Sequence, residues 1–357
     1  MTPSREGPAS GSEGDPPPLR GLPGAPAPVE ASSGARRRAF ARGLRIAHLS
    51  DVHVLDLTGV PWTRFLNKRL TGLVNLIGRR RHAHPISLLE RIVADVNADH
   101  IDHVVVTGDL SNLALESEFA RARALLAPLG GAERLSVIPG NHDDYTRGSQ
   151  RTRRFDHAFA QWMWPVGPLS PVGPVSPVSP AGAAAAQPGA YPWLKRIGDV
   201  SLLGFSSAVA RVPFLATGEV GPDQLTRLDE LAASGALAGT FPIALVHHNV
   251  HRRSWRKTAM HGLKDRDFFL DRLEAAGVRM VLHGHTHVSH RWQRGGLTIV
   301  GSGSSTWSAV HPDHIARYNV YHFEGPTLTD IEIRRFDAAL QRFEHHARLD
   351  PDGLVAR

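Results

Sequence analysis

The sequence predicts an α/β fold built on more than one sheet, and three observations predict it. Short apolar runs at Leu44–Leu49, Val104–Val106, Leu135–Ile138, Ile243–Val246 and Val278–Leu282 have the length and composition of buried strands. Between them lie stretches whose apolar residues recur at helical spacing. From Leu297 onward, the runs Leu297–Val300, Tyr318–Phe323 and Leu328–Ile333 follow one another without long helices, which adds strands that the alternating pattern does not account for.

Taken in order, residues 1–41 are rich in Pro, Gly, Ser and Ala and poor in large apolar side chains, so they are expected to be a disordered tail. The folded domain is expected over 42–336. Its first strand runs into Ser50-Asp51-Val52-His53. A basic insertion at about 60–82 follows: Trp62, Phe65, Leu66, Leu70, Leu73, Val74 and Ile77 recur at helical spacing, with Arg64, Lys68 and Arg69 on the flanks and Arg79-Arg80-Arg81 beyond. Such a helix either packs its apolar face on the domain or lies in a membrane interface with its cations on anionic head groups. Ile86, Leu89, Ile92, Val93 and Val96 mark the next helix. The second strand ends at Gly108-Asp109, and the third at Pro139-Gly140-Asn141-His142-Asp143. Residues of about 165–190 are a low-complexity insertion, not a domain boundary, since motifs fall on both sides of them. The fourth strand ends at His247-His248. A helix through Phe268, Phe269, Leu273 and Ala276, stopped by Gly277, leads to the fifth strand and to His283-Gly284-His285-Thr286-His287. Residues 337–357 are expected to be a helical or flexible extension.

Composition narrows the chemistry. The chain has no Cys, which excludes disulfides and Cys-ligated zinc or iron–sulfur clusters, but it has 21 His. Metal ligands must come from His, Asp, Glu and Asn. The net charge of +7 favours an acidic partner such as a phosphorylated substrate, an anionic lipid surface or nucleic acid. A nuclease would be expected to gather that charge into one stripe, whereas here it is divided between tails and one helix, so nucleic acid is the less expected partner. No apolar run is long enough to cross a membrane, and the first forty residues lack the apolar core of a secretion signal. The expected location is the cytoplasm, with possible peripheral contact at the inner membrane surface through 60–82.

Five strands thus end in Asp, His or Asn, and in open α/β sheets sites form just beyond the carboxyl ends of strands. Oxygen ligands mixed with imidazole suit Mn²⁺, Fe or Zn²⁺. Two such ions would need about seven protein ligands, one of them a bridging carboxylate. The Asp51-x-His53 and His285-x-His287 spacings are expected to put both members of each pair on one face of a strand end. Of the adjacent pair, His247 is the expected ligand, because it comes first after the strand. Among the other histidines, His48, His100, His103 and His283 are expected to be structural.

The ordered blocks Asp-x-His, Gly-Asp, Gly-Asn-His-Asp, His and Gly-His-x-His resemble the signature of the calcineurin-like metallophosphoesterase superfamily over about residues 44–335. The resemblance implies a four-layer αββα sandwich, two mixed sheets flanked by helices, with a dinuclear metal centre at the strand ends. It implies Asp51, His53 and His287 on one metal, Asp109 as the bridge, and Asn141, His247 and His285 on the other. It implies a metal-bridging hydroxide as nucleophile, His142 as the general acid facing substrate, and Asp143 as a residue that orients its loop. The candidate substrate contacts are Asn112 and Arg147.

In the stretch Gly108-Asp109-Leu110-Ser111-Asn112-Leu113, Asn and Leu replace the Asp and Arg of the phosphoprotein-phosphatase branch. The chain is therefore more similar to the bacterial phosphodiesterase branch that includes cyclic-nucleotide phosphodiesterases. Alternatives are a lipid-linked pyrophosphatase of the UDP-2,3-diacylglucosamine hydrolase type, suggested by the 60–82 insertion, a nuclease, and a non-catalytic scaffold on the same fold.

Overall fold

The structure is a computed structural model that describes residues 43–66, 69–70, 72, 83–163, 190–212, 215–251, 254–308 and 312–349. The expected tail, the low-complexity insertion and most of the amphipathic insertion lie outside the described residues. Within that insertion, Trp62–Phe65 form a short 3₁₀ turn, and residues 69–70 and 72 are helical.

The strands form two six-stranded sheets. In the first, β1 (Leu44–Leu49), β2 (His103–Val106) and β3 (Leu135–Val137) run parallel, and β10 (Arg317–Glu324), β11 (Thr327–Asp337) and β12 (Arg342–Leu349) extend it antiparallel in the order β12-β11-β10-β1-β2-β3. The second has the order β4-β5-β6-β7-β9-β8, from Trp193–Ile197, Val200–Gly204, Phe241–Leu245, Met280–His283, Leu297–Gly301 and His290–Arg294. Its strands β5, β6, β7 and β9 are parallel. The helical or flexible extension expected from 337 is corrected here: residues 342–349 are a strand paired with β11. Its charged side chains hide it in the sequence, because an edge strand buries little and so carries only a weak apolar signal.

Period-two alternation explains why the sheets stack. In β6, Phe241, Ile243 and Leu245 face a core shared with the first sheet's Leu49, Val106, Tyr321 and Phe323. The intervening Ala244, and Val246 just after it, join a separate core with α5 (Pro222–Ala233) and α7 (Arg266–Ala275). On the other side, α1 (Ile86–Ala98), α2 (Glu116–Leu126) and α4 (Arg154–Met163) cover the first sheet through Leu89, Ile92, Phe119 and Phe159. Each fully buried side chain of this size contributes about 1.5–3 kcal/mol. The result is a helix–sheet–sheet–helix sandwich in which β1, β2 and β3 of one sheet, and β6 and β7 of the other, end along one rim.

Lys195 joins the two edges nearest β3. Its ammonium is buried and shares its three protons among the carbonyls of Ala132, Leu135 and Trp162 and Ser136 Oγ, and burial lowers its pKa to about 7. Near the rim, Glu118 in the first turn of α2 reaches back to accept the amides of Leu113 and Leu115. Burial raises its pKa from 4.5 to about 8, so the folded protein keeps a proton that the unfolded chain releases. The stabilisation from that proton is complete below pH 4.5 and is lost as pH climbs to about 8. Glu118→Gln keeps the acceptor oxygen and removes the ionisation. It is expected to flatten the pH dependence of the urea midpoint over that window and to stabilise the protein at pH 8, where each unit of displacement carries about 1.4 kcal/mol. An unchanged slope would refute the assignment.

Candidate metal centre

The rim gathers the predicted ligands through backbone strain. Asp51, His53, Asp109, His285 and His287 all have positive φ, between 46° and 70°. L-residues avoid this region, at a cost of about 1–3 kcal/mol each, and such strain clusters at functional sites. The expectation that each Asp-x-His or His-x-His pair shares a strand face is therefore corrected. β1 ends at Leu49 and β7 at His283, and it is the left-handed turns beyond them that aim the side chains. The turns are held in place: Asp51 N donates to Gly108 O and His53 N to Asp109 O, while Ser304 Oγ and Thr306 Oγ1 bond the carbonyls of Asp51 and Val52.

Two glycines let these loops approach. A Cβ on Gly140 would lie 2.2 Å from Asp109 Oδ1, and one on Gly284 would lie 1.8 Å from Ser50 Oγ. Any side chain at either position would push the carboxylates apart.

Asp109 sits at the middle of the cluster. Its Oδ2 lies 3.4 Å from His247 Nε2 and 3.7 Å from His53 Nε2, which places one oxygen between two imidazoles. On one side, His287 Nε2 is 3.2 Å from Asp51 Oδ1 and 3.2 Å from His53 Nε2. On the other, His247 Nε2 is 3.1 Å from Asn141 Oδ1, and the His285 ring stands 5.2 Å from the His247 ring. The His247 Nδ1–H donates to Thr107 O at 2.7 Å, which leaves Nε2 facing Asp109 and Asn141. His248 turns away, with its nitrogens on Ser207 Oγ and Ala216 O.

The electrostatics fit cations. Burial opposes charge on Asp109, yet His247, His142 and His53 around it hold it ionised well below the usual carboxylate range. Burial also opposes charge on His247, but the facing Asp109 outweighs it and raises its pKa to about 9. The pair thus holds a proton at a place where a metal ion fits. His53 and His285 are kept neutral by burial, His285 at about 3, as imidazole ligands must be. Asp51, Asp109 and His247 bring ligand atoms within 4.8 Å of one another, and so do His53, Asp109 and His142. Two carboxylates, an amide and four imidazoles therefore meet the needs of a metal pair.

His142 borders the cluster. Its amide donates to Asp109 Oδ1, and its Nδ1–H donates to the Asn112 carbonyl at 2.7 Å, which turns Nε2 outward. Asp143 is buried and does not reach the His142 ring; its carboxylate accepts the amides of Leu110, Ser111 and Gly140 and so clamps two loops together. Burial, then the charge of Asp109, raises its pKa to about 7.

The two expected substrate contacts are corrected. The Asn112 side chain is 6% exposed and donates to the His53 carbonyl at 2.6 Å, so it holds a ligand loop and not a substrate. Arg147 is exposed on a different cavity, of about 590 Å³, which it shares with Arg64, Arg69, Arg154 and Arg211. Tyr145 links the two places, lining that cavity while stacking on His142 at 5.5 Å. The cavity over the cluster, about 340 Å³, is lined instead by Asn141, His142, His261, His287, Trp307 and His314 among others. His261, Trp307, His314 and also His84 were not expected here, since isolated histidines and a tryptophan carry no motif. His48 and His103, by contrast, are buried away from the cluster, on Thr107, Tyr321 and Ser136.

A two-sheet sandwich carrying carboxylates and imidazoles along one rim defines a metal-dependent hydrolase. The sequence profile of the calcineurin-like phosphoesterases matches residues 44–289, well over half of the chain, and the chain belongs to that family. Members are hydrolases of phosphoric esters that use a dinuclear centre of divalent or trivalent ions. Among solved structures, a purple acid phosphatase from yellow lupin (Lupinus luteus) seeds is similar at TM-score 0.53 and 12% identity, over 86% of this chain and 53% of that one. The chain thus spans about half the length of the lupin protein. A dimetal phosphatase from Danio rerio is similar at TM-score 0.51 and 13% identity, over 81% of this chain and 95% of that one. No curated protein matches the chain. Among the described residues, no helix is long and apolar enough to cross a membrane.

Proposed function

We propose that the chain is a phosphodiesterase, with Asp51, His53, Asp109 and His287 holding one metal and Asp109, Asn141, His247 and His285 the other. When bound, such a pair supplies an activated water and offsets charge on the phosphoryl oxygens. His142 then gives its Nε2 proton to the leaving oxygen. The neutral ring it becomes keeps its proton on Nδ1, already bonded to the Asn112 carbonyl. Asp143 acts by holding the loops that carry Asp109 and His142.

The observation that carries the diester reading is the cavity's charge. Among the described residues, those that line it are His, Asp, Asn, Thr, Ala and Trp, with no Lys or Arg. A phosphomonoester brings two negative charges and is best met by added cations, whereas a diester brings one. The test is a Mn²⁺-reconstituted panel: a phosphomonoester, a phosphodiester, cyclic AMP, single-stranded DNA and a nucleotide-linked lipid. Turnover of the diesters above the monoester is expected. A monoester preference would overturn the reading, preference for DNA would favour the nuclease, and no turnover at all would favour the scaffold.

A second reading, a lipid-linked pyrophosphate as substrate and peripheral contact at the inner membrane surface, is favoured by another observation. Trp62, Leu66 and Leu70 are 71%, 67% and 51% exposed and recur every fourth residue beside the arginine-lined cavity. Vesicles containing anionic lipid are expected to sediment the protein, and Trp62→Asp with Leu66→Asp to lower that binding at least about tenfold. Equal sedimentation of both proteins would remove this reading.

A further inference from the structure

His84 stands in the turn before α1, outside every block of the family signature, yet its ring packs 4.5 Å from His53 and 5.8 Å from His287. One nitrogen from each of these three histidines lies within 4.8 Å of the other two. The hydrogen bonds fix which nitrogen His84 presents. Its Nδ1 is 2.9 Å from Thr306 Oγ1. That hydroxyl is itself 2.9 Å from the Val52 carbonyl and 3.4 Å from the Asp51 carbonyl, and carbonyls only accept. The hydroxyl proton therefore goes to the Val52–Asp51 backbone, and the hydroxyl lone pair receives a proton from His84 Nδ1. Nε2 is left with the lone pair that a metal requires. This is the arrangement by which an outer hydrogen bond sets the tautomer of a metal-bound imidazole. Trp307 closes the outer side, edge-on to both His84 and His287 at 5.3 and 4.6 Å.

We propose that His84 is a further ligand of the metal held by Asp51, His53, Asp109 and His287, with Thr306 as its positioning residue. This rests on the dinuclear reading above and deepens it. One ion would then have five protein donors, three of them imidazoles, against four for its neighbour. The two ions are consequently unequal: the imidazole-rich side binds more tightly and is the last to yield to a chelator, and it favours metals suited to nitrogen, such as Zn²⁺ or Fe.

The chain has no cysteine, so a thiol introduced at one position reports on that position alone. Full-length His84→Cys loaded with Co²⁺ is expected to show a sulfur-to-cobalt charge-transfer band that the Co²⁺-loaded parent lacks. In His84→Ala, one of two bound metals is expected to weaken by more than the roughly 10–100-fold that loss of an outer hydrogen-bond partner costs. Added imidazole should restore it. Thr306→Val should weaken the same metal about tenfold. A folded His84→Cys without the band, or His84→Ala with both affinities unchanged, overturns the proposal. A parent protein that binds fewer than two metals sinks the dinuclear reading first, and His84 with it.

Discussion

Replacing Asp109 with Asn is expected to cost the protein both its metals and its turnover. Asp109 Oδ2 is the oxygen that faces His247 on one side and His53 on the other, while Oδ1 holds the His142 amide. The amide of Asn can still accept a hydrogen bond, so the loop geometry survives, but the negative charge between the two ligand sets is gone. Charge is what a pair of cations held as proposed would need at that point, and the surrounding imidazoles already favour the ionised form of Asp109. The activation of water and the charge compensation that metals supply are lost together, so the diester rate should fall by roughly 10⁴-fold or more. Metal content by mass spectrometry and turnover of bis(4-nitrophenyl) phosphate are the two readouts, with circular dichroism to show that the fold persists. Two tightly held metals and near-normal turnover in this variant would mean that Asp109 bridges nothing.

Loss of the His142 imidazole should behave differently. His142→Ala removes the proposed proton donor and leaves the proposed ligands Asp51, His53, Asp109, Asn141, His247, His285 and His287 in place. The rate constant is expected to fall by about 10²–10⁴-fold, the usual contribution of a positioned acid, with the metals retained. The loss should be greatest for alkyl esters, whose poor leaving oxygens need the proton, and smallest for nitrophenyl esters, which leave as stable anions. His142 also lies within ligand distance of His53 and Asp109, so the metal content of the variant decides its role. If a metal departs with the ring, His142 is a ligand and not the acid. If the loss is equal for alkyl and nitrophenyl esters, proton donation is not its contribution.

Much of the scaffold was legible because buried parallel strands have nowhere to place polar side chains. The five apolar runs that end in the candidate ligands are β1, β2, β3, β6 and β7, all buried and paired in parallel within their sheets, with β3 at one edge. The strands without a clear apolar run in the sequence are β4, β5, β8 and β12, three of them at sheet edges. β8 is His290–Arg294 and β12 is Arg342–Leu349, both crowded with charged or polar residues because half of each strand meets solvent. β4 hides the buried Lys195, whose ammonium is satisfied only by carbonyls and a hydroxyl from other parts of the chain.

The order of residues by itself determined which side chains are candidate metal ligands, and that apolar strands would deliver them to a common rim. Those facts are local: strand length, the position of each Asp or His after its strand, and the glycines that admit close approach. Only the tertiary structure decided that the ligands point inward through left-handed backbone and that Asn112 presents its carbonyl, not its side chain, to His142. It alone decided that Arg147 faces a separate basic cavity and that His84 completes a cluster with His53 and His287. Orientation and proximity across more than two hundred residues depend on how the two sheets stack, and no short pattern encodes that.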